Sequence, residues 1–255
     1  MILRRVIEHF RKQEWTAIFL DFVIVVAGVF VGLQVSNWNA ARAETAQERD
    51  ILASIAQDLR NDRMVLQAGE ASLLASIGAG EYVLDEIGEA RIETTMRPSR
   101  ARLLQGEQKA PETDAPDADE RNGLWAITLA AYYPAASHTA YDALTNTGKL
   151  SIIKDHDLIR NLQDYRQLWI GLDEMQSGTS RPLRNDAAGI GHRYGLSLLT
   201  PVPEEELLRK MRENEELRAA LRTQVAVKIL HYASVSELDR AAEALLSKLE
   251  REGAK

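Results

Sequence analysis

The chain has 255 residues, 45% hydrophobic and 27% charged, with 31 Lys and Arg against 38 Asp and Glu for a net charge of −7. It contains no Cys, which excludes a disulfide scaffold, a thiolate metal centre and a cysteine nucleophile. The acidic balance speaks against a nucleic-acid partner, because phosphate contacts call for clustered Lys and Arg. The charge is also unevenly spread: residues 1–43 carry five basic and three acidic side chains, so the remainder of the chain bears −9.

Residues 1–15, MILRRVIEHFRKQEW, place Ile2, Leu3, Val6, Ile7 and Phe10 on one helical face with cations opposite, which predicts a basic amphipathic segment lying along the inner leaflet. Residues 16–36 follow as an apolar run whose only charge is Asp21. As a helix it measures roughly 30 Å, the thickness of a bilayer's hydrocarbon core. Trp15 and Trp38, with Asn37 and Asn39, stand at the two interfaces, where an indole finds an apolar neighbour for its face and a partner for its N–H. Ala41-Arg42-Ala43 has the small-x-small form of a signal cleavage site, but a signal's apolar stretch runs about 7–15 residues and ends nearer to it. An uncleaved anchor is expected. Arg4, Arg5, Arg11 and Lys12 precede the span, whereas Arg42 and Arg49 follow it mixed with Glu44, Glu48 and Asp50. The positive-inside rule then predicts a cytoplasmic N-terminus and, in a bacterial inner membrane, a periplasmic C-terminal domain.

Gly28 and Gly32 form a small-xxx-small pair on a stripe that also holds Asp21, Val25 and Val35. Such a face predicts close approach of a second helix within the lipid bilayer, from another copy or another membrane protein. Three readings of Asp21 stay open: it bends to headgroups about 9 Å away by helical rise, it meets a partner on a facing helix, or it handles protons.

Residues 37–96 predict a long juxtamembrane helix. Leu52, Leu59, Leu66, Leu73 and Ile87 recur at multiples of seven, with Ile55, Ile77 and Leu84 filling the turns between. Gly69, Gly78 and Gly80 each cost up to about 1 kcal/mol relative to Ala and predict a bend or break. Further apolar helices follow, so residues 44–96 are expected to complete a helical bundle with 123–255 rather than join a coiled coil between chains. Residues 97–122 predict an acidic flexible loop, since Pro111–Glu120 hold five acids, two prolines and no large apolar side chain. Asp117, Asp119 and Glu120 lack the spacing of a calcium loop.

Beyond residue 123 the chain turns aromatic and apolar. Gly148 predicts a helix stop and Asp155 the cap of a helix through Trp169. Glu204, Glu205 and Glu206 open a helix after Pro201 and Pro203, and the apolar pattern then runs to Leu249. No strand alternation is found, so the predicted class is all-α: one N-terminal transmembrane helix, a long helix and an extramembrane bundle.

Catalytic signatures are not found. Gly148-Lys149 fails as a phosphate loop because Ala143 stands where a glycine is needed and Leu150 where Ser or Thr would hold magnesium. Gly189-Ile190-Gly191 fails as a dinucleotide fingerprint, its third glycine falling one place late at Gly195. His9, His138, His156, His192 and His231 share no metal spacing, and no nucleophile elbow occurs. No catalytic residue, cofactor or metal is assigned, and a non-enzyme is expected. A groove for a peptide or small ligand, lined by Trp125, Tyr133, His138 and Tyr141, is the alternative to a plain aromatic core.

Two segments resemble an uncharacterised family of bacterial single-pass membrane proteins. From Asp21 to Asn39, DFVIVVAGVFVGLQVSNWN resembles that family's acidic residue, apolar run and closing L-Q-x-x-N-W-N; from Tyr141, YDALTNTGKLSIIK resembles its aromatic, leucine, Ser/Thr, Gly and leucine-isoleucine segment. The match covers under a quarter of the chain, and it departs at Asp21, where the family has Glu, and at Ser36, where it has Asn. The resemblance implies one span and a helical domain beyond it, and brings no activity. Three functions follow as expectations: an envelope scaffold or interaction protein, an accessory subunit of a proton-motive-force-driven complex acting through Asp21, and a periplasmic ligand sensor using the aromatic groove.

Overall fold

A computed structural model describes residues 14–92, 111–137 and 139–253; the expected amphipathic segment, the acidic loop up to residue 110, and His138 lie outside them. Every regular element among the described residues is a helix, so the protein is all-α. Helix α1 spans Glu14–Glu86, a 73-residue stretch without proline. The chain divides into two units, residues 1–52 and 53–255. In the first, all side chains from Phe19 to Glu44 are exposed, including Phe22, Val26, Phe30 and Leu33.

In the second unit, the seam of α1 is set by steps of three and four: Ile55, Leu59, Asp62, Leu66, Gly69, Leu73, Ser76, Gly80 and Val83 are all buried. Leu52 and Ile87, at the ends of the predicted stripe, are half-buried. The glycines do not break this helix, because two of them are contact points. A Cβ on Gly80 would come within 2.4 Å of Val225 Cγ2, and one on Gly78 within 2.9 Å of the Asp114 carbonyl oxygen. The backbone entropy lost at these glycines is offset by the close approach they allow. The helix ends at Gly88, whose φ of +80° only glycine adopts readily; its N–H donates to Asp85 O and that of Glu89 to Leu84 O, a Schellman stop.

Residues 111–119 run extended past Gly78 and not as a free loop. Pro116 is buried, and Asp117 Oδ1 accepts from the N–H groups of Asp119 and Glu120 while Glu120 Oε2 accepts from Asp117 N. This reciprocal capping box starts a 3-10 turn at Glu120–Gly123. The acids stay solvated as their composition demands, but a cap and one buried proline suffice to seat the segment.

Helix α2, Leu124–Leu129, is followed by extended chain to residue 137, then by α3, Thr139–Asn146. Asp58 on α1 accepts from Ala140 N at 2.8 Å and so caps α3 from a distant part of the chain. Gly148 turns left-handed at φ +68°, and Asp155 caps α4, His156–Met175, by accepting from Asp157 N and Leu158 N. A π-turn, Gln176–Ser180, joins α4 to α5, Arg181–Arg193. Pro182 explains it: with no N–H, and with a ring that would press on the carbonyl four residues back, proline is accommodated by a widened turn. Helices α6, Glu204–Glu213, and α7, Glu215–Gly253, close the bundle, with the three glutamates in the first turn of α6. Arg63 pairs with Asp239 at 2.9 Å, tying α1 to α7.

Candidate functional site

The exposed apolar length of α1 contains an 18-residue window, none of it buried, that is long and apolar enough to cross a membrane. Asp21 is exposed on it, and a Cβ added to Gly28 or Gly32 would meet nothing within 4 Å, so the stripe they form is an uncovered face in the described structure. Trp38 is exposed with the Arg42 guanidinium 5.9 Å from its ring centre, and Asn37 and Asn39 are exposed beside it. The Trp15 side chain is outside the described set.

The aromatic residues expected at a groove take separate positions. Trp125 is a core residue, 2% exposed, lying so close under Gly191 that a Cβ there would come within 2.4 Å of the indole. Tyr141 is buried, with the Arg166 guanidinium 6.0 Å from its ring and Arg166 paired with Asp142. Tyr133 is half-buried; its ring stacks on His231 with centres 5.9 Å apart, and the Arg181 guanidinium lies 4.1 Å from it. Burial raises the Tyr133 hydroxyl pKa, with Arg184 and then Arg181 pulling it back. The small cavity that Tyr133 lines includes neither Trp125 nor Tyr141.

What sequence reasoning missed is a set of polar side chains inside the helix seams, and the extended chain at 130–137 explains them. Its backbone groups have no helix or sheet to pair with and must be met by side chains. Asp62, 1% exposed, accepts from Ser137 N at 2.7 Å and from the Tyr165 hydroxyl at 2.9 Å. Lys228 and Ser76 both donate to Ala130 O, Arg184 Nε donates to Leu129 O at 2.7 Å, and Gln176 Nε2 donates to Pro134 O at 3.3 Å. His231 Nε2 lies 3.4 Å from Gln176 Nε2. Burial, then Lys228, lowers the His231 pKa to about 4; burial, then Arg184, lowers that of Lys228 to about 8. The signal was legible in the seam of α7, where Leu217, Leu221, Gln224, Lys228, His231, Val235 and Leu238 recur at steps of four and three, three polar residues interrupting apolar ones.

Two clefts, of about 340 and 440 Å³, flank the extended segment where it passes Gly78, and both are rimmed by acids, Glu81, Asp85 and Glu89 on one side and Glu112, Asp117 and Glu120 on the other. Among the described residues no group of three metal-ligating side chains is assembled. No protein-family model matches the chain, and no curated protein or solved structure matches it.

Proposed function

We propose that this is a single-pass membrane-anchored protein of the bacterial inner membrane, with a cytoplasmic N-terminus, a periplasmic helical domain and a non-enzymatic scaffold or interaction role. The observation that carries the proposal is the uncovered apolar length of α1: burying a fully exposed Val, Leu or Phe is worth about 1.5–3 kcal/mol each, so this many side chains call for a bilayer. The resemblance at Asp21–Asn39 and Tyr141–Tyr165 supports the same topology. The Gly28 and Gly32 face is the contact surface for a second helix, with Asp21 sheltered in that contact.

The absence of native cysteine makes the orientation simple to test. A single Cys introduced at exposed Lys149 reacts with an impermeant maleimide in cells with a permeabilised outer membrane, whereas one at Gln13 reacts only after lysis; the reverse pattern overturns the topology. Crosslinking in native membranes followed by mass spectrometry tests the role. Recovery with a second copy or another membrane protein is expected, and recovery only as a lone monomer counts against it. A second reading, an accessory subunit of a proton-motive-force-driven complex, is favoured by one fact: a carboxylate is exposed within the apolar run at Asp21. There Asp21→Asn abolishes function while assembly persists, and full complementation by that variant ends the idea.

A further inference from the structure

The smaller of the two acid-rimmed clefts, about 340 Å³, is the size of a small-ligand site. Gly78, Glu81 and Asp85 line it from one face of α1, at steps of three and four, and the extended segment brings Asp114 across at Gly78. Glu81 is the buried member: its side chain is 8% exposed, Oε2 lies 3.3 Å from the Arg91 guanidinium, and Oε1 has no hydrogen-bond partner. A buried carboxylate oxygen left unmet is costly, so this one calls for a donor from the cleft.

The remaining charges say which donor. Among the described residues the lining holds four carboxylates, those of Glu81, Asp85, Glu89 and Asp114, against one cation, Arg91. Glu89 is taken up by Arg218 and Arg222 of α7. Asp85 and Asp114 are exposed and pair with no cation among the described residues. A single metal ion does not fit this arrangement. Its ligands must converge within about 2.6 Å, whereas Gly78 and Asp85 lie roughly 10 Å apart along the helix, and among the described residues no three metal-ligating side chains are assembled. Negative charge spread over that length, with Tyr82, Leu84 and Ala115 also on the lining, matches a ligand that carries ammonium groups at both ends of a methylene chain.

We propose that this cleft binds a small alkyl polyamine, one ammonium group donating to Glu81 Oε1 and a second held by Asp85 and Asp114. The test titrates putrescine and spermidine into the full chain in detergent micelles by calorimetry at low salt, with butylamine as the single-charge control. Saturable binding of both polyamines is expected, with butylamine weaker by about tenfold or more. Glu81→Gln, which keeps the shape of the side chain, weakens putrescine binding by about tenfold. Asp85→Asn, at an exposed position, weakens it by about threefold. Asp173→Asn, which removes an exposed acid of α4 outside the cleft, leaves it unchanged. Where Glu81→Gln does not fold, the double variant Asp85→Asn with Asp114→Asn takes its place, again with a loss of about tenfold. The absence of saturable heat, equal affinity for butylamine, or an affinity that survives both Asp85→Asn and the second variant overturns the proposal. So does magnesium binding with the same dependence on these residues, which would make the cleft a metal site.

Discussion

Helix α1 is one continuous helix in two different surroundings. From Phe19 to Glu44 all its side chains are exposed, and from Ile55 to Leu84 its seam residues are buried, several at 2% or less. Within the exposed length, residues 22–33 are apolar around the whole circumference, while the buried length is apolar on one stripe and carries Arg60, Arg63, Gln67 and Glu70 off it. The contrast teaches that helical continuity comes from the backbone and the absence of proline, whereas the distribution of apolar side chains around the axis decides which solvent each length requires.

The sharpest way to separate the two lengths is to make the same change in each. Leu66→Ala deletes a fully buried side chain and is expected to lower unfolding stability by about 2–5 kcal/mol, while Leu33→Ala leaves the unfolding midpoint in micelles unchanged, both read by denaturant titration of the full chain. Equal effects would erase the distinction. Val26→Arg inverts the comparison: the penalty of about 2.5–3.5 kcal/mol for a central cation releases chain from the alkaline-washed membrane pellet without moving the domain's midpoint.

A third expectation concerns protons. His231 is buried and neutral, with its folded pKa near 4 against 6.5 when exposed. Because the unfolded state takes up the proton first, the stability associated with neutral His231 is complete above pH 6.5 and is lost as pH falls towards 4, by about 3 kcal/mol in all. His231→Gln, which keeps a polar contact for Gln176, is expected to flatten that slope; an unchanged slope would place the acid sensitivity elsewhere. The smallest effect is expected at Arg60 and Glu250, whose side chains are 49% and 65% exposed at 3.4 Å separation: Arg60→Ala costs under about 1 kcal/mol.

The helices were legible because steps of three and four survive any tertiary arrangement, and Leu59, Leu66 and Leu73 announced the buried face of α1 on their own. The glycines misled, since propensity counts the entropy of Gly78 and Gly80 but not the backbone or side chain that moves into the space they leave. The groove residues were legible as aromatic and not as neighbours: Trp125 belongs with Gly191 and Tyr133 with His231, partners 66 and 98 positions away in sequence, which no local pattern encodes. Likewise Asp62 and Lys228 interrupt apolar stripes because the backbone of residues 130–137, outside any helix, takes its partners from them.

The π-turn also fixes the phase of everything after it. On α4 the buried positions step as Leu158, Leu162, Tyr165, Trp169, Leu172 and Gln176, and the next step of three would fall on Thr179. It falls on Ser180, and the rhythm then resumes through half-buried Arg184 to Ala187 and Gly191. The chain therefore carries one supernumerary residue, absorbed locally as a widened turn. Removing a single residue there, such as Gly178, would take out the surplus and leave an even helix in which the steps of four and three run unbroken from α4 into α5. Gly191 would still face Trp125, whereas the same deletion at exposed Asn185, inside the regular turns of α5, would carry Gly191 about 100° round the axis and away from the indole.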